Sequence, residues 1–141
     1  MTSPELIHAT CVAVNGHGVL ITGPSGSGKS DLALRLIDRG ARLVGDDYVV
    51  IETQDSQLYA RPAPHIVGKL EIRGLGLCRF DALSDARISL YVHLTDSIER
   101  LPEPDHLLLS GVSLPILRLD PFEASAPIKV ELALSQGVGV T

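Results

Sequence analysis

Eight consecutive residues, Gly23-Pro24-Ser25-Gly26-Ser27-Gly28-Lys29-Ser30, form a complete G-x-x-x-x-G-K-S phosphate-binding motif. A polyphosphate needs many donors close together and no side chains in the way. Gly23, Gly26 and Gly28 meet that need by letting backbone N–H groups curl around phosphate oxygens at a helix N-terminus, where unpaired amides and the helix dipole favour an anion. In this pattern Lys29 reaches the outer phosphates and the Ser30 hydroxyl holds Mg²⁺. The chain is therefore expected to bind a nucleotide or a related polyphosphate. A second chemical pair, Asp46-Asp47, follows sixteen residues after the motif. Adjacent like charges raise the cost of ionising both, so one carboxylate can act as a proton acceptor while the other is held by hydrogen bonds or metal.

These residues need elements to hold them. Val19-Leu20-Ile21 is a short apolar strand entering the loop, and Asp31 to Arg39 repeats apolar residues at helical spacing before stopping at Gly40. Upstream, Ile7 to Val14 reads as one strand, and Asn15-Gly16 turns it into a hairpin with Gly18 to Thr22. That hairpin would carry His8 to the loop, although on the residues alone His8 reads as a structural histidine and His17 as a solvated turn residue. Arg42-Leu43-Val44 is a strand whose carboxyl end delivers Asp46-Asp47 to where open α/β sheets place ligands. Tyr48 to Ile51 is the next strand, Glu52 to Gln57 a polar turn, and Leu58 to Ala60 the return of a second hairpin. Leu70 to Leu77 reads as a strand running into a tight glycine loop, with Glu71 and Arg73 on one face. Arg87 to Leu94 and Leu114 to Leu119 are late strands, Asp96 is a lesser candidate for a metal-side acid, and Ile128 to Ser135 is a final short helix.

With 141 residues and 45% apolar content, the chain reads as one domain, 1–141, able to bury a core without disulfides. Its net charge of −5 and only three lysines, Lys29, Lys69 and Lys129, argue against nucleic acid as a partner. No signal peptide and no bilayer-spanning run is expected, which makes the protein cytoplasmic, with Cys11 and Cys78 as unpaired thiols. No His/Cys/Asp spacing suggests zinc.

Leu70-Glu71-Ile72-Arg73-Gly74-Leu75-Gly76 resembles the signature of the HPr serine kinase/phosphorylase family. The other motifs stand in the family's order: His8, the loop Gly23 to Ser30, Arg39-Gly40 leading to Leu43-Val44-Gly45-Asp46-Asp47, then Glu71 and Arg100. The resemblance implies an ATP-dependent kinase that phosphorylates a serine of an HPr-like phosphocarrier protein, and in many members also a phosphorylase that removes the phosphate. It implies Asp47 as proton acceptor, Lys29, His8 and Arg100 as catalytic residues, Ser30 and Glu71 as Mg²⁺ positions, and a homo-oligomer, a hexamer. The implied fold is α/β, a phosphate-loop kinase-like mixed sheet with flanking helices, related to the phosphoenolpyruvate carboxykinase type.

Members usually carry an additional N-terminal domain and a longer helical tail, so the chain resembles the short form found in some bacteria. The family's late Pro- and Arg-rich loop, tied to phosphorolysis, corresponds to Pro115-Ile116-Leu117-Arg118-Leu119-Asp120-Pro121, with one arginine where two are common. Kinase activity is thus the firmer expectation. Two other classes remain: a small-molecule kinase, for which Arg73 to Arg87 is the candidate lid, and a nucleotide-sensing module without turnover.

Overall fold

A computed structural model of the chain describes residues 3–139. The elements in order are β1 (Glu5–His8), β2 (Thr10–Val14), β3 (His17–Thr22), α1 (Lys29–Asp38), β4 (Arg42–Gly45), β5 (Tyr48–Gln54), β6 (Gln57–Pro62), a 3₁₀ turn (Pro64–Ile66), β7 (Lys69–Ile72), β8 (Gly76–Arg79), β9 (Ala86–Leu94), β10 (His106–Leu109), β11 (Val112–Leu119) and α2 (Ala126–Gln136). Nine strands join one mixed sheet along β1-β5-β6-β9-β3-β2-β4, with β11 on β9 and β10 on β11. The pairs β3 with β9 and β9 with β11 are parallel, and the rest of this sheet is antiparallel. The hairpin β7-β8 stands apart as a small sheet of its own.

Strand alternation divides the core. Val12 and Val14 of β2 and Val19 and Ile21 of β3 point to one side, where they meet Leu32, Ala33 and Leu36 of α1, Leu70 of β7, and Ala126 and Val130 of α2. Cys11, Ala13 and Leu20 point to the other, against Val49 and Ile51 of β5 and Leu58 and Ala60 of β6. A strand buried on both faces must be apolar throughout, which is why β2 and β3 read as continuous hydrophobic runs. Both α-helices lie on one face, and the opposite face is covered by strands β5 and β6. The expected flanking helices therefore flank one side only.

Several expected boundaries shift. The single strand Ile7 to Val14 is two strands broken at Ala9, because β1 pairs with β5 while β2 pairs with β3 and β4. The polar turn Glu52 to Gln57 shrinks to Asp55-Ser56, both at positive φ, since the β5 and β6 ladders continue to Gln54 and Gln57. Leu70 to Leu77 is a hairpin, and Arg73 falls in its turn, so it does not share a strand face with Glu71. The strand expected over Leu114 to Leu119 begins two residues earlier, as β11 on Val112–Leu119 paired with β9, so most of the segment matched to the family's late loop is strand. The helix expected over Ile128 to Ser135 extends over Ala126–Gln136.

Candidate functional site

The phosphate motif leaves β3 at Thr22 and enters α1 at Lys29. Gly26 and Gly28 have φ of 79° and 100°, in the left-handed region that glycine enters without steric cost. Gly28 is also pinned by space, because a Cβ there would lie 3.2 Å from Pro121 Cγ. Lys29 is buried, and its ammonium donates to Gly23 O at 2.9 Å and Pro24 O at 3.1 Å. An ammonium has three donors, so the loop leaves one of them for another acceptor. Ser27 Oγ is buried inside the loop with no hydrogen-bond partner among the described residues.

Asp46 follows the end of β4 and is buried. Its Oδ1 accepts from Ser30 Oγ at 2.7 Å and Thr10 Oγ1 at 2.9 Å, and its Oδ2 accepts from the Glu71 N–H at 3.2 Å. One carboxylate thus joins β2, the first turn of α1 and β7. Charge-assisted bonds of this kind are what allow an anion to stay buried. Among the described residues no cation forms an ion pair with it.

Asp47 takes φ 64°, turns away from Asp46, and stands half exposed. Its N–H donates to Thr10 Oγ1 at 3.3 Å, so the threonine that donates to Asp46 also fixes the backbone of Asp47. His8 reaches this place by an unexpected route. β1 pairs it with Tyr48, the ring centroids lie 5.1 Å apart, and His8 Nε2 is 3.8 Å from Asp47 Oδ1. That separation is beyond a hydrogen bond and within electrostatic contact.

The structure therefore gathers His8, Lys29, Ser30, Asp46, Asp47 and the backbone of Glu71 around the loop. The side chain of Glu71 is exposed, and its residue contacts Asp46 through the main chain. Among the described residues no hydrogen bond or ion pair brings Arg100 into that cluster; it is exposed on the segment between β9 and β10. Asp96 is likewise exposed there. Arg118 pairs with Asp105 at 2.9 Å. His17 sits at the start of β3 and contacts Ser89 Oγ at 3.2 Å. Thr10 is the residue that sequence reasoning missed. Its signal was a lone hydroxyl in the apolar run before the Asp-Asp pair, which reads by default as a strand former. No group of three or more His, Cys, Asp or Glu side chains among the described residues could hold a metal by itself.

Comparison with known proteins places this arrangement. The family model for the HPr Serine kinase C-terminal domain matches residues 1–130. A Bacillus subtilis protein named HPr kinase/phosphorylase is 37% identical over 131 residues, covering 87% of this chain and 42% of the relative. One of the same name from Clostridium beijerinckii is 55% identical over 76 residues, covering 53% of this chain and 25% of the relative. The chain thus spans less than half the length of these relatives. The solved structure of the Hpr(Ser) kinase/phosphatase from Coxiella burnetii superposes with a TM-score of 0.81 at 25% identity, covering 93% of this chain and 94% of that one. With nearly its whole length matched in sequence and fold, the chain belongs to the HPr serine kinase C-terminal domain family.

Proposed function

We propose that this domain is an ATP-dependent serine kinase acting on an HPr-like phosphocarrier protein in the cytoplasm. Its fold reads as the phosphate-loop kinase architecture of the phosphoenolpyruvate carboxykinase type, assembled as a homo-oligomer. The observation that supports the reading most is the Asp46–Asp47 junction. It ties the loop's Ser30 to a buried carboxylate and, one residue on, sets a second carboxylate half exposed beside His8. A buried anion and a free one, adjacent and next to a phosphate motif, are suited to different tasks.

The donor set fits Mg²⁺, which takes one or two protein oxygens and completes its shell with phosphate and water. Ser30, Glu71 and Asp46, a buried carboxylate without a cationic partner among the described residues, are the residues that would hold it. Bound there, Mg²⁺ would supply charge neutralisation on the phosphate oxygens. The chain's own groups do the rest. The loop amides and the free donor of Lys29 bind the triphosphate, and Ser27 Oγ gains an acceptor from a phosphate oxygen. Asp47 accepts the proton of the substrate serine as its oxygen attacks the γ-phosphorus. The bond from that phosphorus to the bridging oxygen breaks, and ADP leaves. His8 positions the Asp47 carboxylate, and Arg100, exposed on its segment, is available to the developing charge.

The test incubates the purified chain with γ-labelled ATP, Mg²⁺ and the host's HPr-like proteins. Label on a serine of such a protein is the expected result. Label on a small molecule instead would make it a small-molecule kinase, and nucleotide binding without any labelled product would make it a sensing module.

A further inference from the structure

Because β3, β9 and β11 run parallel, the phosphate loop after β3 and the turn after β11 emerge at the same, carboxyl edge of the sheet. That turn, residues 120–125, lies against the loop. A Cβ at Gly28 would meet Pro121 Cγ at 3.2 Å and Phe122 Cε1 at 3.8 Å. The turn is also fixed. The Phe122 N–H donates to Asp120 Oδ1 at 3.0 Å, and Arg35 of α1 donates to Pro121 O and to Glu123 O. The helix whose first turn shapes the phosphate loop therefore anchors the neighbouring turn as well. Yet Phe122 is 79% exposed. A phenylalanine on a tethered turn, turned out to solvent beside a phosphate motif, forgoes the burial that usually draws that side chain inside.

We propose that Phe122 is the platform on which the purine ring of the nucleotide stacks. The inference rests on the nucleotide-binding reading above and deepens it by naming the base subsite. Loop amides and Lys29 recognise phosphates only, so a triphosphate without a base would satisfy them equally. Phe122 adds a π face whose Cε1 lies 3.8 Å from where a Cβ at Gly28 would stand, next to the Pro121 ring. Stacking on such a face is indifferent to the base edge, so adenine and guanine both gain from it.

Binding of ATP and of inorganic tripolyphosphate, each with Mg²⁺, is compared in the native chain, Phe122→Ala and Lys29→Ala. Phe122→Ala should weaken ATP about five- to hundredfold, the range of alanine substitutions at base-stacking aromatics, and leave tripolyphosphate unchanged. The exposed position spares the fold. The chain has no tryptophan, so Phe122→Trp supplies a single reporter whose emission ATP should quench and tripolyphosphate should not. Unchanged ATP affinity in Phe122→Ala, or equal loss for both ligands, overturns the proposal. That includes the case in which phosphoryl transfer to a protein falls while ATP affinity holds, which would make Phe122 a docking residue. Lys29→Ala separates the two levels. If it weakens both ligands while Phe122→Ala weakens neither, only the platform is wrong; if it weakens neither, nucleotide binding at the loop is itself wrong.

Discussion

Replacing Asp47 by asparagine should slow phosphoryl transfer while leaving fold and nucleotide binding in place, whereas the same change at Asp46 should destabilise the fold. Asp47 is half exposed, and its hydrogen bond among the described residues, N–H to Thr10 Oγ1, is made by the backbone. Asparagine tolerates the left-handed conformation that φ 64° requires, whereas alanine would add about 1–2 kcal/mol of strain and blur the result. The stability of Asp47→Asn should stay within about 0.5 kcal/mol of the native chain. Its single-turnover transfer should fall about 10²–10⁴-fold, the usual contribution of a positioned general base. Asp46 is another case. Its carboxylate accepts three hydrogen bonds, from Thr10, Ser30 and the Glu71 N–H. Removing the charge weakens each by roughly 1 kcal/mol, the difference between charged and neutral acceptors. An amide must also turn its NH₂ towards one of the donors. If that is the Glu71 N–H, the clash adds about 1 kcal/mol or more; the hydroxyls can rotate to accept instead. Asp46→Asn should therefore lose about 3–4 kcal/mol, read as a lower urea midpoint at unchanged slope. The assays are equilibrium unfolding, nucleotide binding and single-turnover transfer on both variants. Near-native transfer in Asp47→Asn with a large loss in Asp46→Asn would reverse the assignment of the base. Equal destabilisation of the two would refute the division of a structural from a chemical carboxylate.

Three further expectations follow from single residues. Glu71→Gln keeps the main-chain bond to Asp46 and changes only an exposed carboxylate, so the Mg²⁺ needed for half-maximal activity should rise more than metal-free ATP binding changes; an unmoved Mg²⁺ dependence removes Glu71 from the metal's neighbours. Burial pushes the Cys11 thiol up to about 12, while Cys78 is only partly buried, so a thiol reagent at neutral pH should modify Cys78 alone, and Cys11 only on unfolding; prompt reaction of two thiols would contradict the packing of β2. The Arg118 guanidinium, with help from the His106 N–H, holds the Asp105 carboxyl below its ordinary value. Because the folded value is the lower one, the pairing stabilises above the unfolded-state carboxylate value, and that contribution is lost as pH falls through the folded one; an NMR titration should show the depressed midpoint, and Arg118→Ala should move it back up.

What was legible in the chain follows the range of the interactions. The strand, loop and helix from Val19 to Arg39 could be read directly, because the glycines, Lys29 and the helical spacing act within a few residues of one another. The turn Asn15-Gly16 and the β5-β6 hairpin were readable for the same reason. The site was less so. His8 was expected to arrive by the first hairpin, but it arrives through pairing with Tyr48, a contact between distant parts of the chain that no local pattern encodes. Thr10 and Asp46 are 36 positions apart, and their bond exists only because β2 and β4 are neighbours. β10 has no counterpart among the expected elements, since His106–Leu109 is short and its pairing with β11 is what makes it a strand.

The aspartate pair shows most clearly how a correct local argument can have the wrong cause. Two adjacent carboxylates at a strand end would diverge by strand alternation alone. In the structure β4 has already ended at Gly45, and the divergence comes from the backbone of Asp47, which turns left-handed at φ 64° while its N–H is held by Thr10. The constraint on position 47 is therefore twofold. The chemistry asks for a carboxylate, and the backbone independently asks for a residue that enters the left-handed region, which among the common choices means Gly, Asn or Asp. Aspartate is the only residue that meets both demands, and Thr10, by bonding the side chain of one aspartate and the backbone of the other, is what makes the two demands fall on adjacent positions.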